Sequence, residues 1–161
     1  METNAKSPQH CSAVELDEFE RLVKEGGEVD PKGLRRRIEK AERLVFCGSN
    51  PVLGVGAVKN PVERYKTSVF TKAGVLDRMD DHKFELGWLY VSPEARGMGV
   101  GNHLMEAAIQ VSAEGGIFAT TRSNNDAMHY LFQKYAFEKV GTEYKSAKGD
   151  HTLVLYVHQS T

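Results

Sequence analysis

The spacing of hydrophobic and polar residues changes along the chain between a helical period and a strand period, which predicts a mixed fold. Apolar residues recur every three or four positions in three segments, where we predict helices: residues 15–24, 99–113 and the stretch after 124–126. A further helix is predicted over residues 30–42, because Asp30-Pro31 supplies an N-cap and a first-turn proline. Short apolar or alternating runs predict strands at residues 44–47, 52–58, 84–91, 117–121, 137–143 and 152–157. The strand at residues 84–91 has the strongest pattern.

The predicted elements follow the order strand, two helices, three strands, helix, strand, helix and two strands, in which the first strand precedes the helix at 15–24 and has no assigned range. This order predicts an α/β (α+β) sandwich with a mixed sheet. An insertion at residues 60–83 lies between the third and fourth strands, and its apolar spacing predicts a further helix that Gly74 would end. Because no repeat or linker interrupts the chain, we predict a single domain over residues 1–161.

Composition and charge exclude one class of function. The 161 residues include 21 basic and 22 acidic side chains, with a formal net charge of −1. A protein that binds nucleic-acid phosphates would need a strongly basic face, so we expect no nucleic-acid partner. A chain of this length buries enough surface to fold without a disulfide or a structural metal.

The cysteines and histidines favour neither a metal site nor a disulfide framework. Cys11 and Cys47 lie outside any metal-ligand spacing and are interpreted as small side chains in a reducing environment. The histidines contain no pair four residues apart, so we expect no metal. The N-terminal residues lack the apolar core of a secretory signal, and no run is apolar enough to span a membrane. We therefore expect a soluble, cytoplasmic protein.

The segment with the clearest chemical meaning covers residues 84–101 and reads F-E-L-G-W-L-Y-V-S-P-E-A-R-G-M-G-V-G. A predicted strand enters a turn with glycine at positions 97, 99 and 101, and a predicted helix follows. Glycines let the backbone turn sharply and direct several N–H groups toward one point, at the positive end of the helix dipole. Arg96 adds a fixed positive charge. This pattern predicts a site for a phosphate or pyrophosphate, with a glycine-rich connection that binds nothing as the alternative.

Two common phosphate-binding motifs do not fit these residues. A P-loop requires Gly-Lys-Ser/Thr, whereas Gly101 is followed by Asn102 and His103. A dinucleotide fingerprint of the form G-x-G-x-x-G would require glycine in place of Asn102. The residues instead match the pattern Arg-x-x-Gly-x-Gly, which begins at Arg96.

With this turn the chain resembles the GNAT superfamily of coenzyme A-dependent N-acyltransferases, in which an Arg/Gln-x-x-Gly-x-Gly/Ala turn follows the fourth strand. The run L-Y-V-S-P-E at residues 89–94 is similar to the end of that strand. Residues 125–137 read N-x-x-M-x-x-L-F-x-K-x-A-F and resemble the family's N-x-x-A-x-x-L-Y-x-K-x-G-F helix. The resemblance implies a GNAT-type fold of about seven strands and about four helices, in which two parallel strands splay apart to hold acyl-CoA.

The resemblance also implies which residues bind acetyl-CoA. The backbone of Leu89 and Val91, with Tyr90 between them, would pair with the pantetheine amides as an added strand does. Arg96 would lie beside the turn. The backbone amides expected to hold the pyrophosphate are those of Gly97, Met98, Gly99, Val100 and Gly101.

Glu85 is the candidate general base. Strand alternation predicts one shared face, the face expected to meet the thioester, for Glu85, Gly87, Leu89 and Val91. An amine nucleophile arrives protonated, and a partly buried carboxylate can remove that proton directly or through a water. Some family members have their general base at this position of the strand. The alternative is an ordinary edge carboxylate that binds the substrate ammonium.

The helix after residue 124 departs from the family at one position. Where the family usually has a tyrosine that protonates the leaving thiolate, this chain has Phe132, which cannot donate a proton. We keep Phe132 among the expected cofactor-binding residues. Tyr135 is a candidate acid, with core packing, a water or no acid at all as alternatives. Asn125 matches a family position near the pantetheine arm, and a helix cap explains it equally well.

These features predict an N-acetyltransferase that transfers an acetyl group from acetyl-CoA to a primary amine by direct attack in a ternary complex. The acceptor would be a small molecule or a peptide. Three residues of the insertion, Tyr65, Phe70 and Met79, either shape its pocket or pack on the surface. The alternative function is a non-catalytic coenzyme A-binding sensor or interaction module. The sequence is compatible with a homodimer and does not determine the acyl chain length.

Overall fold

The computed structural model of the protein describes residues 1–159. The strands in this range are β1 (Thr3–Lys6), β2 (Arg43–Cys47), β3 (Gly54–Lys59), β4 (Phe84–Val91), β5 (Ile117–Arg122), β6 (Glu138–Lys145) and β7 (Thr152–His158). The α-helices are α1 (Ala13–Gly26), α2 (Leu34–Glu39), α3 (Glu63–Lys72), α4 (Val100–Val111) and α5 (Asp126–Lys134). Short 3-10 segments lie at Pro8–His10, Leu76–Asp81 and Pro93–Ala95.

The seven strands form one mixed sheet in the order β1-β2-β3-β4-β5-β7-β6. Strands β4 and β5 are parallel and pair at Phe84↔Ile117 and Glu85↔Phe118. The pairs β1-β2, β2-β3, β5-β7 and β6-β7 are antiparallel. The predicted α/β class with a mixed sheet is confirmed, and the first strand of the predicted order corresponds to β1.

Local signals explain where α1 begins and ends. The Ser12 hydroxyl accepts a hydrogen bond from the Glu15 amide, and the Glu15 carboxylate accepts one from the Ser12 amide at 2.8 Å. This reciprocal pair is a capping box. Gly27 ends the helix in the left-handed conformation, with φ 74°. The helix predicted at residues 15–24 is confirmed.

The second helix starts later than predicted. Instead of capping a helix, the Asp30 carboxylate accepts a hydrogen bond from the Lys32 amide at 3.0 Å, which closes a turn. Gly33 follows with φ 70°, and α2 covers only Leu34–Glu39. The prediction of a helix over residues 30–42 that begins at Asp30-Pro31 is therefore wrong, because an aspartate side chain can stabilise a turn in place of a helix start.

The described chain divides into two compact units, and the boundary in β4 lies between Glu85 and Leu86. The first unit comprises residues 1–60 and 86–111. One group of its buried side chains lies on α1, α2, β2 and β3 and includes Phe19, Leu22, Leu34, Ile38, Phe46 and Val55. A second group packs α4 against β2 and includes Val45, Cys47, Val100 and Leu104.

The second unit comprises residues 61–85 and the chain from residue 112 onward. Its core is formed by α3 and by strands β5, β6 and β7, with Val69, Phe70, Ala73, Phe118, Val140, Leu155 and Val157. The helix predicted within the insertion is confirmed as α3. The single domain predicted over residues 1–161 stays a prediction, and its last two positions lie outside the described residues.

Trp88 interrupts the regular alternation of β4, because its φ of 53° lies in the left-handed region. A Cβ atom on Gly87 would lie 2.7 Å from Lys59 Cδ, and Lys59 Nζ lies 4.3 Å from the Trp88 ring centroid. Gly87 and Trp88 therefore face the same side, whereas Leu89 packs in the group that includes α4. The prediction of one shared face is wrong for the set Glu85, Gly87, Leu89 and Val91.

Within residues 1–159, every helix falls short of the length and apolar character that a membrane crossing would require.

Candidate active site

The turn before α4 has a backbone that only glycine adopts easily. Gly97 has φ 83° and Gly99 has φ 81°, both in the left-handed region. A Cβ at Gly97 would meet no other atom within 4 Å, so space is open in front of the turn. The first helical hydrogen bond of α4 runs from the His103 amide to the Gly99 carbonyl at 3.3 Å. The amides of Gly99, Val100 and Gly101 therefore lie in the first turn, ahead of that bond, where N–H groups are available to an anion.

One of the amides predicted to hold an anion already has an internal partner. The Met98 amide donates to the Ala95 carbonyl at 3.3 Å. Arg96 is exposed at the turn, and its Nε donates to the Val91 carbonyl at 3.3 Å. Its guanidinium also lies 6.0 Å from the centroid of the Tyr90 ring. The positive charge therefore stays beside the turn, as predicted, but one backbone oxygen expected to pair with a ligand already accepts a hydrogen bond.

Two glycines of β3 leave room for close neighbours, the start of α4 at Gly54 and a side chain of β4 at Gly56, and the sequence analysis does not include them among the site residues. A Cβ on Gly54 would lie 2.6 Å from Val100 Cγ1 and 3.0 Å from the Tyr90 carbonyl oxygen. A Cβ on Gly56 would lie 2.9 Å from Leu89 Cδ1. The signal was the G-V-G of residues 54–56 inside a strand, a position where glycine marks a close approach of another element.

Glu85 is a buried carboxylate in the second unit, with only 5% of its surface exposed. The Tyr65 hydroxyl on α3 donates a hydrogen bond to Glu85 Oε2 at 2.7 Å. The Tyr65 residue is 44% exposed, so its ring reaches outward while its hydroxyl contacts the buried carboxylate. From the sequence alone, Tyr65 lies in the insertion and either shapes a pocket or packs on the surface. The structure brings it to the candidate base.

Two phenols beside Glu85 keep their protons over a wide pH range. Burial, followed by the negative charge of Glu85, raises the pKa of Tyr144 to about 12. The same two causes raise the pKa of Tyr65 still further above its ordinary range. Both groups are therefore hydrogen-bond donors and not anions at neutral pH.

The residues predicted on α5 have structural roles that the contacts explain. The Asn125 side chain accepts a hydrogen bond from the Met128 amide at 3.2 Å and so caps the helix. Phe132 is 2% exposed, and its ring stacks on Tyr156 with a centroid distance of 4.6 Å. Tyr135 lies at the end of α5, half-buried, with the Lys134 ammonium 5.8 Å from its ring centroid. The cofactor roles of Asn125 and Phe132 and the acid role of Tyr135 stay predictions.

A comparison of the sequence with known protein families agrees with the strand, glycine turn and helix seen in β4 and α4. A model of the acetyltransferase (GNAT) family matches residues 30–137, more than half of the 161 residues. The chain belongs to the GNAT family. No curated protein sequence matches it.

Solved structures with the GNAT fold resemble this GNAT protein over nearly its whole length. Escherichia coli ElaA has a TM-score of 0.73 and 12% identity, and the match covers 99% of this chain and 100% of ElaA. The ribosomal-protein-alanine N-acetyltransferase from Brucella melitensis has a TM-score of 0.70 and 17% identity, with 99% of each chain covered. Salmonella typhimurium yncA, solved with its cofactor acetyl-CoA, has a TM-score of 0.63 and 14% identity, and the match covers 99% of this chain and 94% of yncA. At these identities the likeness shows a shared fold.

This GNAT protein also has a partly buried series of hydrogen bonds beside Phe132 that no local sequence pattern predicts. The Tyr156 hydroxyl lies 2.7 Å from His129 Nδ1, and His129 Nε2 lies 2.9 Å from the Ser123 carbonyl oxygen. Because a carbonyl only accepts, Nε2 carries the hydrogen, and in the neutral ring Nδ1 accepts from Tyr156. These hydrogen bonds connect α5 to β7 and hold the Tyr156 ring, on which Phe132 stacks.

No group of three or more His, Cys, Asp or Glu side chains within the described range is arranged to hold a metal ion.

Proposed function

We propose that this GNAT protein is an acetyl-CoA-dependent N-acetyltransferase that acts on a primary amine by direct attack in a ternary complex. The observation that carries the proposal is the glycine turn before α4. Gly97 and Gly99 take φ angles near +80°, and the first-turn amides of α4 follow directly. Such a turn suits the pyrophosphate of coenzyme A. The fold neighbour yncA, which was solved with acetyl-CoA, supports this choice of ligand.

The residues present fit this cosubstrate. The open space in front of Gly97 and the first-turn amides of Gly99, Val100 and Gly101 would accommodate the pyrophosphate. Met98 would contribute less, because its amide already donates to Ala95. The backbone of residues 89–91 would pair with the pantetheine amides, and Arg96 would add positive charge beside the turn.

We assign the general base to Glu85. The amine substrate arrives as an ammonium ion, and Glu85 removes one proton so that the nitrogen lone pair becomes available. The nitrogen attacks the thioester carbonyl carbon, a C–N bond forms, and the C–S bond breaks as the tetrahedral intermediate collapses. Glu85 releases the first proton to solvent, and the second nitrogen proton then passes to Glu85 or to water. The thiolate leaves and takes a proton from Tyr135 or from water.

The acceptor is proposed as a primary amine on a small molecule or a peptide. A buried carboxylate flanked by two protonated phenols suits an ammonium group, because a carboxylate binds its charge and aromatic rings tolerate its alkyl chain. One fold neighbour is named as an acetyltransferase of ribosomal-protein alanine, which makes a peptide N-terminus a reasonable member of the test panel. We place the reaction in the cytoplasm.

A thermal-shift titration with acetyl-CoA tests the proposal, with ATP and NAD as controls. Acetyl-CoA at 100 times its dissociation constant should stabilise the fold by about 2.7 kcal/mol. For a domain of this size that is a rise in Tm of about 5–11 °C. A panel of amines and peptides then measures turnover through release of free thiol. A shift with ATP or NAD alone would contradict the ligand assignment, whereas binding without turnover on every acceptor would favour a coenzyme A-binding sensor.

A further inference from the structure

We infer that Tyr65 is a positioning residue for the general base, whose carboxylate it orients and stabilises through the hydrogen bond from its hydroxyl to Glu85 Oε2. This inference rests on the proposed function, because it assigns Tyr65 a part in the same proton transfer. Tyr65 belongs to the insertion between β3 and β4, so the inserted helix α3 contributes directly to the site.

The hydrogen bond has a definite energetic role. Glu85 is 5% exposed, and an ionised carboxylate removed from water must regain hydrogen bonds from the protein. A phenol that donates at 2.7 Å stabilises the ionised form more than the protonated form, because a hydrogen bond to a charged acceptor is the stronger of the two. The bond also restricts rotation of the carboxylate, so that its oxygens keep one orientation toward the reacting amine.

The position of Tyr65 argues against a purely structural role. Other residues of the same helix form the core of the second unit, among them Val69 and Phe70, which are 5% and 0% exposed. The Tyr65 residue is 44% exposed and contributes little to that core. Its inward contact is made by the hydroxyl group. A phenylalanine would pack equally well at this position and would leave the carboxylate without this donor.

The groups that face the Tyr65–Glu85 pair explain why the Tyr65 hydroxyl stays protonated and donates its hydrogen bond at neutral pH. Tyr144 faces it from β6, and the Thr120 hydroxyl approaches it from β5. Burial and the charge of Glu85 raise the pKa of Tyr65, so the phenol does not lose its proton at neutral pH.

The substitution Tyr65→Phe tests the inference in the whole protein. Loss of the donor should shift the acid limb of the pH profile of kcat/KM upward by about one pH unit. At the pH where the unmodified protein is half-active, kcat should fall about fivefold while the KM for acetyl-CoA stays the same. The matched control is Tyr130→Phe, which removes a hydroxyl from a tyrosine that is 69% exposed. An unchanged acid limb in Tyr65→Phe would overturn the inference.

A second measurement does not depend on activity. Glutamate labelled with 13C at the carboxyl carbon gives one resonance that disappears in Glu85→Gln and therefore belongs to Glu85. In Tyr65→Phe the pH midpoint of this resonance should rise, again by about one pH unit. A midpoint that does not move would overturn the inference even in an inactive protein. A protein that shows the shift but acetylates no amine would contradict the proposed function and support the coupling of Tyr65 to Glu85.

Discussion

The glycine turn before α4 and the side chains around Glu85 are built from different kinds of atoms. The turn presents backbone N–H groups, and its shape depends on the positive φ angles of Gly97 and Gly99. The Glu85 group presents a carboxylate and two phenols that come from β4, α3 and β6. A backbone site is visible in the sequence because its conformation requires a particular residue type. A side-chain site becomes visible only when distant segments are brought together.

Removal of the carboxylate should have the largest effect and tests whether the Glu85 group carries the chemistry. Glu85→Gln keeps the size of the side chain but cannot accept a proton, so kcat should fall by about 100-fold to 1,000-fold at neutral pH. Activity should recover partly at high pH, where the amine is already deprotonated. The measurement is a pH series of kcat and KM.

The control for this substitution is Glu63→Gln, which alters an exposed glutamate on α3. Both variants should keep the thermal shift with acetyl-CoA, because neither alters the glycine turn. Equal turnover in Glu85→Gln and the unmodified protein at every pH would refute the assignment of the base.

An intermediate effect is expected from Gly97→Ala, which tests whether the turn binds the cosubstrate through its backbone. A Cβ at φ 83° costs about 1–2 kcal/mol of backbone strain. Relaxation of that strain should redirect the amides and weaken acetyl-CoA binding about tenfold. Calorimetric titration measures the Kd, and kcat at saturating acetyl-CoA should change little.

Gly74→Ala is the matched control, because Gly74 has φ 80° and equally open space around its Cβ position. Both variants should lose a similar amount of stability, while only Gly97→Ala should bind acetyl-CoA more weakly. An equal loss of affinity in the two variants would show that strain and not the turn is responsible.

The smallest effect concerns the stability of the second unit. His82 is fully buried, and neither ring nitrogen has a hydrogen-bond partner among the residues that the structure describes. Burial lowers the pKa of His82 below its ordinary value of 6.5. As the pH falls below 6.5, His82 binds a proton in the unfolded state but stays neutral in the folded state, where its pKa is lower. The free energy of unfolding should therefore decrease, by at most about 1.4 kcal/mol for each pH unit.

His82→Phe keeps the ring that stacks on Phe70 and removes the titrating nitrogens. Urea unfolding at pH 7.5 and 5.5 should show a smaller loss of stability in this variant than in the unmodified protein. Burial also lowers the pKa of His158, but that residue is present in both proteins, so the difference between them reports His82. An identical pH dependence of stability in His82→Phe and the unmodified protein would show that His82 does not cause the loss of stability at low pH.

The strand, turn and helix of residues 84–111 could be predicted because each signal lies within a few residues. The apolar run gave β4 its observed bounds, Phe84–Val91, and the alternate glycines marked the turn that the left-handed angles require. The family helix with Asn125 and Phe132 was predicted for the same reason. In each case the local conformation is caused by the residue type and by its neighbours in the sequence.

Local patterns failed where two outcomes have similar energies. Asp30 can cap a helix or close a turn, and the observed turn is accompanied by packing of Leu34 and Ile38 of α2 in the core of the first unit. Trp88 adopts a left-handed φ that an alternating strand pattern does not predict, and its packing against Phe19 and Lys59 accompanies that choice. These choices depend on partners that lie far away in the chain.

The sequence by itself determined the fold class and the glycine turn before α4, because hydrophobic period and glycine spacing act over short distances. Tertiary structure decided which side chains meet at the candidate base. Tyr65 and Glu85 are separated by 20 residues, and only the packing of α3 in the second unit brings the hydroxyl within 2.7 Å of the carboxylate. The strength and direction of a hydrogen bond depend on tenths of an ångström, which packing sets and residue spacing does not.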